Sequence, residues 1–133
     1  MPELRGNLSG IRDSVQREIS SLFDFPVGSD EFLPYDLALA LCRFTAQIRR
    51  EIALYISRGG EVLDIAVGQK DNVPLTDLSQ RRNENRLSRV RCIHTHPAGQ
   101  SLLSDVDISA LKSLRLDAIC ALGAEDDGTV AGA

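Results

Sequence analysis

The sequence predicts a mixed β-sheet with helices packed on it, an α/β or α+β domain, and three observations predict it. Two segments carry apolar residues at helical spacing, one segment reads as a β-hairpin, and two further apolar runs are bounded by turn-forming residues. In chain order the elements run helix, helix, strand, strand, strand, helix, strand, an order that a helix-covered mixed sheet accommodates.

Ile11, Val15, Ile19 and Leu22 share one face of a helix expected from about Gly10 to Phe23, with Ser9 as its N-cap. Phe25-Pro26 and the turn Gly28-Ser29-Asp30 break it. Pro34 is expected at the first position of a second helix continuing to about Arg49, with Leu37, Leu41, Phe44 and Ile48 as its buried stripe. Arg49 and Arg50 then lie where a helix C-terminus favours positive charge. "EIALYIS", "RGG" and "EVLDIAVG" form the hairpin pattern, two β-rich runs around a glycine-containing turn. Residues 69 to 88 are polar, carry Pro74 and read as a long connection with room for one short strand. "VRCIHT" is the next strand, ended by Pro97. A helix from Ser104 to about Leu114 and a strand "LDAICAL" follow. The last stretch, "AEDDGTVAGA", reads as a charged turn with no element after it, so the chain is expected to be a piece of a longer polypeptide.

A chain of 133 residues is long enough to bury a core without disulfides or a structural metal. Its net charge of -4 argues against a dedicated nucleic-acid binder. The basic residues are nearly all arginine, Lys70 and Lys112 being the exceptions, which favours bidentate anion contacts. Cys42, Cys92 and Cys120 are odd in number and form no CxxC, as expected of buried thiols in a reducing cytosol. No signal-peptide core follows Met1, and no run approaches the ~18 apolar residues of a membrane span, so a cytoplasmic location without a membrane partner is expected.

Both histidines of the chain, His94 and His96, lie two apart at the end of an apolar strand. Alternate residues of a strand point to one face, so the two imidazoles converge. Zinc accepts such neutral nitrogen ligands at roughly 2.0–2.1 Å, and a catalytic site adds a third protein ligand and an open position for water. Asp107, in the first turn of the following helix, can reach back to supply that carboxylate. Simpler readings stand beside this one. Two histidines near a strand end are often just hydrogen-bonded, and Ser104 with Asp107 also fits a helix capping box that needs no metal. Cys92 shares the strand face and makes Cys-x-His-x-His a rival ligand set, although three consecutive ligands from one strand are hard to bring around one ion. Glu51 reads equally as a solvated carboxylate paired with Arg49 or Arg50.

His94-Thr95-His96-Pro97, six residues from Ala98 to Leu103, Ser104, two residues and Asp107 together resemble the signature of the JAMM (MPN+) metalloprotease-like family, also seen in RadC proteins. The resemblance implies a cytidine-deaminase-like fold with two extra N-terminal helices, residues 1–50 forming the helical segment and 51–133 the metal-site domain. It also implies zinc held by His94, His96 and Asp107, Glu51 as general base on the bound water, and Ser104 stabilising the oxyanion. Peptide or isopeptide bonds are the implied substrates.

Nearly the whole chain, including "NLSGIRDSVQREISSLFD", "IRREIALYISRGGEVLDIAVG", "RLSRVRCIHTHPAG" and "LSDVDISALKSLRLDA", is similar to the N-terminal extension of long HflX-type, ribosome-associated GTP-binding proteins. No GxxxxGK[ST] loop is present, so no GTP-site residue is expected in these residues. Two functions therefore compete: a zinc hydrolase, and a non-catalytic regulatory or ribosome-docking module of the GTPase. Docking would use the loop arginines Arg81, Arg82, Arg86, Arg89 and Arg91 on RNA phosphates, although interleaved Asn and Glu favour a solvated loop.

Overall fold

The structure, a computed structural model, describes residues 3–28, 30–68, 90–97 and 116–133. They form an α+β arrangement. Six strands make one mixed sheet: β1 (Arg5–Gly6), β2 (Ile52–Ser57), β3 (Val62–Val67), β4 (Val90–His96), β5 (Ala118–Ala124) and β6 (Val130–Gly132), in the order β1-β3-β2-β4-β5-β6. Two helices, α1 (Asp13–Ser20) and α2 (Tyr35–Ile48), complete the described elements. The β1–β3 and β4–β5 pairs are parallel and the others antiparallel. The expected loop over 69–88 and the expected helix from Ser104 to Leu114 lie outside the described residues.

The pleat of the sheet sorts the strand residues between two faces. Ile52, Leu54 and Ile56 of β2, Ile65 of β3, Ile93 of β4 and Leu122 of β5 pack against Ile19 and Leu22 from the α1 segment and against Leu37, Leu41 and Phe44 of α2. Ala53, Tyr55, Ala66, Val90 and Cys92 gather on the opposite face with Leu116. Strands covered on both sides read as near-continuous apolar runs, which is why "IALYI" lacks the alternation of a half-exposed strand. The expected hairpin forms as β2 and β3, closed at Gly60, whose φ of 93° suits glycine and whose missing Cβ would stand 2.1 Å from the Val27 carbonyl oxygen.

The ends of the chain depart from expectation. Ser9 does not cap α1, because its N–H and hydroxyl both bond back to Asn7 Oδ1, at 3.1 and 2.6 Å. Gly10 then takes a φ of 80°, and the helix starts at Asp13 with Arg12 as N-cap. Its last turn tightens into a 3₁₀ segment over Ser21–Asp24. Pro34 is the N-cap of α2 instead of its first residue. Arg49 closes α2 in the left-handed conformation, φ 58°, and Arg50 bonds the carbonyls of Asn7 and Ser9, not the last turn of α2. The charged turn near the end does lead to an element. Gly128 N–H bonds the Glu125 carbonyl, Asp127 accepts from the Thr129 N–H and hydroxyl, and β6 then pairs with β5. The Thr129 bonds hold the Asp127 carboxyl below its usual range. Among the described residues no helix is long and apolar enough to cross a membrane.

Candidate metal centre

β4 carries both histidines. Its pairing with β2 matches Ala53 to His94, and the same register continued past the ladder sets Glu51 opposite His96. The ligating atoms of Glu51, His94 and His96 all lie within 4.8 Å of one another, so these three side chains could hold a metal ion. Glu51 Oε1 is 3.5 Å from His96 Nε2, and the two imidazole rings meet edge to face with centroids 4.7 Å apart.

Burial distinguishes this group from a surface cluster. Glu51 is 7% exposed and His94 4%, with His96 half-buried at the strand end. A carboxylate held out of water is expensive unless it is paired, protonated or bound to a cation. Glu51 is therefore not a solvated strand-end residue, and the Arg50 guanidinium serves the 7–9 turn instead. The chain delivers Glu51 there by an abrupt route. The left-handed Arg49 turns it out of α2, Gly68 N–H bonds the Glu51 carbonyl at 2.8 Å, and β2 begins at the next residue.

Cys92 points to the same face but is not among the three convergent groups. It neighbours Tyr55 across the β2–β4 ladder, and the Tyr55 phenol has its pKa driven above the ordinary range chiefly by burial. The rival Cys-x-His-x-His set is therefore not assembled. All three cysteines are free, Cys42 and Cys92 buried and Cys120 half-buried, and burial pushes the Cys42 thiol up to about 11. Ser104 and Asp107 lie outside the described residues, as do Arg81, Arg82, Arg86 and Arg89.

Arg91 occupies a different place from the solvated loop expected of it. It is 9% exposed and donates to the carbonyls of Phe32 at 2.7 Å, Glu31 at 2.8 Å and Ser57 at 3.2 Å, with its guanidinium 5.5 Å from the Phe32 ring centroid. Its donors are engaged inside the fold, which leaves them unsuited to RNA phosphates. Sequence reasoning also missed the ion pair of Arg5 with Asp64, made through bonds of 2.9 and 2.8 Å on the site's face of the sheet. No local pattern signals it, because it depends on β1 pairing with β3 across the chain.

Compared with protein-family models, curated proteins and solved structures, the chain matches none.

Proposed function

We propose that the chain is a zinc-dependent hydrolase of peptide or isopeptide bonds. The observation that carries this is the buried convergence of Glu51, His94 and His96 within 4.8 Å. The donor set fits the ion: two neutral imidazole nitrogens favour zinc over magnesium or calcium, which prefer all-oxygen shells. His94 and His96 are the nitrogen ligands, and Asp107 is the third ligand by its place in the motif. When bound, zinc supplies Lewis acidity, polarising the scissile carbonyl and lowering the pKa of water towards ~7.

Glu51 is the acid–base residue. Its carboxylate takes a proton from the attacking water as the water oxygen bonds the carbonyl carbon. It returns that proton to the leaving amine as the C–N bond breaks. The Ser104 hydroxyl donates to the oxyanion. The choice of peptide or isopeptide substrate rests on the motif His94-Thr95-His96-Pro97 with Ser104 and Asp107.

The test is Glu51→Gln, assayed for zinc content and for cleavage of peptide and isopeptide substrates. Retained zinc with cleavage reduced by two to four orders of magnitude, roughly the range of general acid–base catalysis, is expected. Loss of zinc together with cleavage would place Glu51 among the ligands. Undiminished cleavage would end its role as base.

A further inference from the structure

Thr95 stands between the two histidines of β4 and points the other way, into the helix-covered face. Its hydroxyl is fully buried, accepts the Ile52 backbone N–H at 2.9 Å and pairs with the hydroxyl of Thr45 on α2, which is also fully buried. Two buried hydroxyls in an apolar core are unfavourable unless both are hydrogen-bonded, and each here satisfies the other.

Their location gives the pair a consequence for the site. The β2–β4 ladder stops at the Ala53–His94 pair. One step further on, the Thr95 side chain and not a strand carbonyl receives the Ile52 N–H. Glu51 is the very next residue, beyond the last rung, yet its carboxylate must be held against His94 and His96 on the opposite face. Thr95 thus ties the backbone that carries Glu51 to the strand that carries both histidines. Thr45 braces Thr95 from behind, in the turn of α2 whose carbonyl at Thr45 also receives the Arg49 N–H at 2.7 Å.

We propose that Thr95, braced by Thr45, is a positioning residue of the metal centre, fixing the end of β4 that carries His94 and His96 against the backbone that carries Glu51. The proposal rests on the metal-centre reading above and adds to it a residue that touches neither ion nor substrate. Residues that orient ligands from behind typically alter metal affinity by about 10–100-fold when changed.

The test measures zinc affinity by chelator competition, and the visible absorption of bound cobalt(II), in wild type, Thr95→Val, Thr95→Ser, Thr45→Val and Ile65→Val. Ile65 is a fully buried residue of β3 on the same helix-covered face and serves as a packing control. Thr95→Val should bind zinc about 10–100-fold more weakly, with an altered cobalt spectrum. Thr95→Ser, which keeps the hydroxyl, should restore both, and Ile65→Val should leave both unchanged despite its lower stability. Wild-type affinity and spectrum in Thr95→Val overturn the proposal. So does an equal loss in Ile65→Val, which would mean that general destabilisation suffices. If Thr95→Val does not fold, Thr45→Val decides, since it removes the brace and leaves the Ile52 bond; unchanged binding there also overturns the proposal. Failure of the wild type to take up metal is a separate outcome, overturning the metal-centre reading and this proposal with it.

Discussion

Replacing His96 with alanine is expected to reduce zinc affinity by more than about 100-fold, since changes one layer out from the ligands already reach about 10–100-fold. His96 is suited to this test because it lies at the end of β4, half-buried, where truncation removes little of the packed core. The Ala53–His94 and Tyr55–Cys92 pairs that hold β4 to β2 are left in place. Glu51 loses the imidazole that faces it at 3.5 Å, which costs the variant some stability, and the folded variant should fail to compete with a chelator for zinc. Affinity within threefold of wild type would remove His96 from the ligand set.

Asp64→Ala is expected to produce the largest loss of stability, about 3 kcal/mol, the lower end of the range for breaking a buried ion pair by deleting one partner. Asp64 is 1% exposed, and its two oxygens accept from the Arg5 guanidinium at 2.9 and 2.8 Å. The lower end applies because the Arg5 side chain is 19% exposed and can recover some hydration. The loss also loosens β1, whose pairing with β3 is two residues long, Arg5–Ala66 and Gly6–Val67. Urea denaturation measures the change. Combining Asp64→Leu with Arg5→Met should recover most of it, because paired apolar replacements of buried ion pairs are often neutral. A loss below about 1 kcal/mol for Asp64→Ala would indicate that water screens the pair as it does at a surface.

Elements with a local signature were legible in the sequence. α2 carries a helical period, the β2–β3 hairpin two apolar runs around a glycine-containing turn, and β4 an apolar run ended by Pro97, and each formed where that local signal placed it. The two-residue β1 and three-residue β6 are too short to carry a period, and both exist through pairing with a distant or returning strand. Ser9 was misread because two local hydrogen bonds competed for one side chain and the partner behind it, Asn7, won.

The site divides along the same line. His94 and His96 share a face by the strand pleat alone, so their convergence was visible. Whether Glu51 joined them depended on the exit angle from α2 and on the β2–β4 register, neither of which local spacing encodes. Thr95 was hidden in plain view between the two histidines, since the packed α2 supplies its partner, Thr45. Arg91 was grouped with the loop arginines because it ends their run, although it already belonged to the strand "VRCIHT", and the start of β4 turns it under Phe32.

The most direct measurement of the central claim is the metal content of the purified wild-type protein after incubation with zinc at neutral pH and removal of excess ion. The metal-centre reading predicts close to one equivalent of zinc per chain, displaced by a strong chelator and absent from a variant carrying both His94→Ala and His96→Ala. A wild-type protein that retains no zinc, or one whose zinc survives loss of both histidines, would contradict it.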